Sequence, residues 1–244
     1  MFVLLRKEIG SFFSSITGYV VIVVFLLINS LFMWVFPGNF NILDAGYANL
    51  DPLFIISPWV FLFLVPAITM RLFSDEKKSG TIELLLTRPL SDFTIVFAKF
   101  LTGLLLVLFS LVPTAIYYIT IYMLGSPAGN LDSGGIFGSY IGLFFLAGIY
   151  VSIGLFASSL TDNQIISFII SMILCFIFYF GFESLASLSM FSDFDSLIVN
   201  LGINEHYRSI SRGVVDSRDA IYFISIIALF LFFTKTVLTR RKWK

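Results

Sequence analysis

Residues Phe54–Leu90 read FIISPWVFLFLVPAITMRLF followed by SDEKKSGTIELLLTRPL. Phe54–Phe73 is apolar apart from Ser57, Thr69 and Arg71, and a membrane-crossing helix needs about 20 such residues. Ser74–Leu90 then brings Asp75, Glu76, Lys77 and Lys78 in a row. Each of these charges would cost roughly 2.5–3.5 kcal/mol at the centre of a membrane helix, so the chain leaves the hydrocarbon here. The charged island is more than a loop. Gly80 opens a short helical pattern as its N-cap, and Glu83 falls in the first turn, where it suits the helix dipole. Ile82, Leu85 and Leu86 share a face, and Pro89 ends the helix at Arg88. With Leu84 added, the leucine content exceeds what a solvated loop tolerates. A brief amphipathic helix between two spans predicts a docking element at the membrane surface.

Composition extends this reading to the whole chain. The 244 residues are 58% hydrophobic, 18% aromatic and 12% charged, with a mean hydropathy of +0.98. Soluble domains carry about 25% charged residues, so half of that places the chain in the membrane. Six segments can span: about 17–36, 54–73, 97–124, 136–160, 164–182 and 220–238. None alternates as a transmembrane barrel strand does. The predicted fold is all-α, a polytopic bundle of six transmembrane helices, and residues 1–244 read as one domain. With the N-terminus inside, 12 of the 15 Lys and Arg residues fall on the inner side and only Arg208, Arg212 and Arg218 outside. The positive-inside rule then puts both termini and the island in the cytoplasm.

Around the spans, other features take places. In residues 1–16, Phe2, Leu5, Ile9, Phe12 and Ile16 recur at spacings of three and four, with Arg6 and Lys7 between them. That predicts an amphipathic helix lying in the interface, apolar face toward lipid. Pro58, Pro66 and Pro113 predict local bends. Gly138, Gly142, Gly148 and Gly154 predict close helix packing along the fourth span. Residues 183–219 predict short helices at the outer interface. Asn29 predicts a helix–helix hydrogen bond within the first span.

Several chemistries lack their residues. Zero formal net charge (15 basic, 15 acidic) gives no nucleic-acid signature. Ion-coupled carriers place ionisable groups near the midplane. Here Arg71, Lys99, Glu183 and Lys235 sit near span ends, where they are expected to snorkel. The single histidine, His206, is expected at the surface rather than in a zinc or catalytic cluster. Asp132-Ser133-Gly134-Gly135 lacks the context of an ATPase signature, and no Gly-Lys dipeptide exists to build a phosphate loop. Cys175 lies in an apolar run and is expected to be inert. The chain is therefore expected not to be an enzyme and to hold no cofactor. Energy would enter from elsewhere, and the island is the entry point. The competing reading is a membrane scaffold that anchors machinery without translocating anything.

The order Asp75-Glu76, Gly80-Thr81, Glu83, Leu84-Leu85-Leu86, Arg88-Pro89 resembles the region after the second span in ABC-2 type exporter permeases. Lys7-Glu8, Phe12–Ser15 and Gly18-Tyr19 resemble that family's N-terminal interfacial helix. His206-Tyr207, Arg212-Gly213-Val214-Val215-Asp216 and Asp219–Phe223 resemble its last outer segment. Thr17 stands where relatives often carry proline. Among its members the resemblance is strongest to permeases of gliding-motility-associated transporters. The resemblance implies a bacterial cytoplasmic membrane location, a second permease subunit, the same or related, and two ATPase subunits that bind the ATP. It implies that Gly80, Thr81, Glu83, Leu84, Leu85, Leu86 and Arg88 form a coupling helix. It also implies that residues 183–219 form outer re-entrant helices, with His206, Arg212, Gly213 and Asp216 in the gate segment.

Overall fold

A computed structural model describes residues 1–86, 91–187, 198–213 and 216–241. Six helices among them are long and apolar enough to cross a membrane: Gly18–Val35, Asp51–Lys78, Asp92–Leu124, Ser133–Leu160, Gln164–Ala186 and Ser217–Arg240. These are the six predicted spans, three of them with later ends than predicted. They are preceded by α1 (Phe2–Phe13).

Span 1 is α2 (Ile16–Ser30) with a π-turn at Leu31–Val35. Beyond it, α3 (Ile42–Ala45) ends at Gly46, whose φ of 74° is the left-handed geometry glycine accepts. Span 2 is α4 (Asp51–Thr69) continued by α5 (Arg71–Lys78). α6 (Thr81–Leu86) follows. Span 3 is α7 (Asp92–Leu111), a 3₁₀ turn at Val112–Thr114 containing Pro113, and α8 (Ala115–Leu124). Ser91 caps α7 by accepting the Thr94 N–H. Span 4 is α9 (Ser133–Leu160), and span 5 is α10 (Gln164–Phe176) with a π-turn at Ile177–Gly181 and α11 (Phe182–Ala186). Then come α12 (Ile203–Ser211) and span 6, α13 (Ser217–Arg241).

α9 is the axis of the bundle. It is the most buried span and packs against α13, α4, α10, α12 and α7. Its glycines set those contacts. A Cβ on Gly138 would lie 2.9 Å from the Cα of Gly213, one on Gly148 2.9 Å from Ile227, and one on Gly154 2.0 Å from Thr69 Oγ1. Each glycine admits a different neighbour, as the small-residue spacing predicted. Asn29 is fully buried; its amide donates to the Phe25 carbonyl and its oxygen accepts from Ser57 of α4 at 3.4 Å.

The helix of span 2 runs through Pro58 and Pro66 and breaks at Met70. Ser158 of α9 enters that break. Its hydroxyl accepts the Phe73 and Ser74 amides at 2.9 and 3.1 Å and donates to the Met70 carbonyl at 3.0 Å. A side chain inserted into the hydrogen-bond ladder in this way is a recognised cause of helix breaks. Pro58 has a different consequence. It removes the N–H that Phe54 would accept, and the buried Tyr207 hydroxyl of α12 donates to the Phe54 carbonyl instead, at 2.7 Å.

Candidate functional site

The charged island folds differently from its prediction. The second span was predicted to end at Phe73, but residues 71–78 carry it on as the helix α5. At about 1.5 Å per residue, the 28 residues of Asp51–Lys78 reach about 42 Å. The hydrocarbon core is about 30 Å thick, so the last turns stand beyond it and the charges need not enter lipid. Gly80 has φ 70°, and its N–H donates to the Lys77 carbonyl at 3.2 Å. It therefore stops α5 as a left-handed cap rather than opening α6 as an N-cap, because only glycine takes that geometry without strain. Thr81 follows with its hydroxyl 2.9 Å from that of Ser79.

α6 covers the predicted short helix. Ile82 is fully buried, while Thr81 and Glu83 are exposed. Burying one apolar residue seats the helix on the bundle, and the exposed residues are presented outward. The side chains of Leu84, Leu85 and Leu86, and all of Arg88, lie outside the described residues.

Asp75, Glu76 and Lys77 of the α5 stem each reach a different span. Asp75 accepts from Gln164 at the start of span 5 and pairs with Arg71 at 3.4 Å. Lys77 donates to the Ser159 carbonyl at the end of span 4. Glu76 meets Lys99 of span 3 as an ion pair at 3.0 Å.

Lys99 is the centre of this clamp, and its position overturns the prediction that it snorkels. Its side chain is fully buried. The ammonium donates to the Leu72 carbonyl at 2.6 Å and to Glu8 of α1 at 3.1 Å, and it lies 5.0 Å from the Phe73 ring centroid. Lys7 closes the group at 3.5 Å from Glu76 and 3.6 Å from Glu8. Two lysines and two glutamates thus form a neutral quartet. A lone ammonium at this depth would cost several kcal/mol, and its partners offset that. The quartet joins α1, α5 and α7 at one point.

It also explains how α1 is oriented. Leu4 is buried and Glu8 is turned inward, whereas Phe2 is 78% exposed. α1 ends at Phe13, so Ile16 of the predicted face belongs to span 1. Of the stripe expected to face lipid, Phe2 is exposed while Phe12 packs against the core.

At the opposite end, the gate residues have separate places. His206 is held between two acceptors and is not the surface residue expected. Its Nδ1 lies 2.7 Å from Asp219 and its Nε2 2.9 Å from the Asn200 carbonyl, and the ring stacks on Tyr222 at 3.9 Å. Gly213, at φ 88°, brings its backbone against Gly135, where a Cβ would come within 2.9 Å of the Gly135 Cα. Asp216 accepts the Arg218 N–H at 2.9 Å and so caps span 6. Arg212 is exposed and has no partner among the described residues. α12 itself packs inward through Ile203, Tyr207 and Ile210. Glu183 accepts from Asn204 at 2.6 Å and faces Arg208 at 3.4 Å. Burial pushes the Tyr207 phenol above its ordinary pKa, the nearby Tyr179 adds to this, and Ser211 works against it. It remains a neutral donor to Phe54. Residues 188–197 and Val214-Val215 of the predicted segment lie outside the described residues. Among the described residues no three His, Cys, Asp or Glu side chains gather as metal ligands would.

A protein-family model described as ABC-2 family transporter protein matches residues 41–211. A search of curated proteins finds no match. The matched region takes in spans 2 to 5, the α5–α6 corner and α12, and leaves outside it Lys7 and Glu8 of the clamp and Arg212, Gly213, Asp216 and Asp219 at the opposite end. With six apolar spans, α9 at their centre, and a family match over most of its length, the chain belongs to the ABC-2 transporter family, as a membrane transport subunit distinct from the ATPase.

Proposed function

We propose that the chain is the permease subunit of an exporter-like ABC transporter in a bacterial cytoplasmic membrane. Both termini face the cytoplasm, and a separate ATPase drives the subunit through α6. The observation that carries this reading is the clamp on α5. A helix that presents Thr81 and Glu83 outward continues a stem tied to spans 3, 4 and 5 and to α1. A push on α6 is therefore delivered to most of the bundle at once, as coupling through contiguous contacts requires. The partner binds the ATP. Closure of its two ATPase subunits would draw the α6 helices of two permease subunits together, the second being another copy or a related chain. Span 2, broken at Met70 and held there by Ser158, would carry the movement to the opposite end. There Tyr207 links α4 to α12. We propose further that the system is gliding-motility-associated, on the resemblance that extends over nearly the whole chain rather than on the Asp75–Pro89 motif, which related permeases share.

The test is association. Glu83→Lys reverses one exposed charge on α6 and leaves the clamp intact. The expected result is normal membrane insertion with loss of the co-purifying ATPase and of ATP turnover by the complex. Retention of both would refute docking through α6.

A further inference from the structure

His206 is the one histidine in the chain, and both of its ring nitrogens face oxygens that accept hydrogen bonds. Nδ1 lies 2.7 Å from an Asp219 carboxylate oxygen and Nε2 2.9 Å from the Asn200 carbonyl. A neutral imidazole has one N–H and one lone pair, whereas the imidazolium has two N–H groups. The neutral ring can make one of these contacts and must set its lone pair against the other oxygen. The two contacts are hydrogen bonds together only in the imidazolium. Asp219 agrees with this. It lies in the first turn of α13, where the helix dipole favours a charged carboxylate, so the proton between the pair belongs to the ring. The Asp219 side chain is 8% exposed, and its second oxygen is buried with no partner among the described residues.

The ring joins three parts of the chain. His206 is on α12, Asp219 on α13, and Asn200 in the turn at residues 198–202 that leads into α12. That turn is closed by the Leu201 N–H on the Ile198 carbonyl at 3.1 Å and the Gly202 N–H on the Val199 carbonyl at 2.9 Å. Tyr222 of α13 stacks on the His206 ring, and its hydroxyl donates to the Leu201 carbonyl at 2.6 Å. Other ionisable groups nearby are solvated or engaged elsewhere. Glu205, Arg208, Arg218 and, on α4, Asp51 are exposed, and Glu183 faces Arg208 and Asn204. Tyr207 donates to Phe54. α9 and the π-turn of span 5, which also pack on α12, carry no ionisable groups but Tyr140, Tyr150 and Tyr179.

We propose that His206 is a proton-operated latch at this end of the molecule. With two ring protons it ties the 198–202 turn and α12 to span 6. Loss of one proton leaves Nδ1–H on Asp219, the stronger acceptor because it is charged. The Nε2 lone pair then faces the Asn200 carbonyl, so the turn is released while α12 stays on span 6. Asn200 is exposed and the His206 side chain 16% exposed, so water and protons reach the contact. Histidine is the side chain whose charge ordinarily changes between about pH 5 and pH 8. The sign follows from the two N–H groups: the latch is closed on the acid side and opens as pH rises. With the termini in the cytoplasm, as proposed above, it reads the pH outside. The latch itself depends neither on that orientation nor on coupling through α6.

A sole histidine makes the ring directly readable. The full chain, carrying isotope-labelled histidine, is placed in nanodiscs and titrated from about pH 5 to about pH 9, which brackets the ordinary range of the ring. No ATPase is present, so a failure here leaves the coupling reading untouched. Ring-nitrogen NMR shifts distinguish the imidazolium from each neutral tautomer. Hydrogen exchange, corrected for its intrinsic pH dependence, reads the Leu201 and Gly202 amides. The expected result is imidazolium at the acid end and the Nδ1–H tautomer at the alkaline end. Protection of the two amides should fall about tenfold across the same midpoint, the scale of one charge-assisted hydrogen bond. Asp219→Asn should move that midpoint about one pH unit to the acid side. A ring that keeps one protonation state throughout would overturn the proposal, and so would the Nε2–H tautomer at the alkaline end. Ring titration with unchanged protection, or an unmoved midpoint in Asp219→Asn, would overturn it as well.

Discussion

Lys99 is the most deeply buried charged residue among those described. Its ammonium is fully buried and balanced by Glu8 and Glu76. Removing one member of such a group leaves the others uncompensated, which costs about 3–5 kcal/mol. Lys99→Met is therefore expected to destabilise the protein by about that much. Adding Glu8→Gln and Glu76→Gln to Lys99→Met should restore a large part of the loss, because the buried carboxylate charges go too. Denaturant unfolding in detergent, read by tryptophan fluorescence, measures both variants. Equal stability of single and triple variants would show that the quartet's charges are not coupled. The local sequence hides this role. Lys99 looks like a span-end lysine with room to snorkel. Its partners lie 91 and 23 positions away in sequence, on α1 and α5, and no spacing rule links the three.

Among the elements, the contact between α12 and α4 is the one whose cause lies in a single proline. Pro58 leaves the Phe54 carbonyl without its helical donor, and Tyr207 supplies one. Tyr207→Phe should therefore cost about 1–3 kcal/mol, since it orphans a buried acceptor. In a Pro58→Ala background the same substitution should cost clearly less, because residue 58 regains an N–H for Phe54. A double-mutant cycle on thermal unfolding measures the difference, and strict additivity would contradict the assignment. The raised pKa of Tyr207 fixes the sign of any pH effect. The neutral phenol's contribution is whole below the unfolded phenol value of about 10 and is lost only as pH climbs through the higher folded value. The anchor should thus show no titration across the neutral range.

These elements also show where reading the sequence succeeded. The six spans, the short helix after Gly80, the turn at Pro113 and the packing glycines of α9 all follow from runs, breakers and small-residue spacing. The α5 extension did not, because a helix long enough to leave the hydrocarbon can keep its charges helical. Gly80 was legible as a helix boundary but not as a stop rather than a start, since φ decides that. The interior faces of α1 and the holding of His206 between Asp219 and Asn200 depend on tertiary neighbours that periodicity does not encode.

Taken whole, the molecule has two polar ends joined by a nearly uncharged bundle. At one, α5 gathers α1 and spans 3, 4 and 5 beneath an outward helix. At the other, α12 packs against spans 2, 4 and 5. In the coupling we propose, force enters at α6. A photo-crosslinking residue at position 81 tests it most directly, with one at exposed Leu43 of α3, at the opposite end, for comparison. In native membranes position 81 should capture an ATP-hydrolysing subunit and position 43 should not. Capture from position 43, or none from position 81 in a normally inserted chain, would contradict the claim.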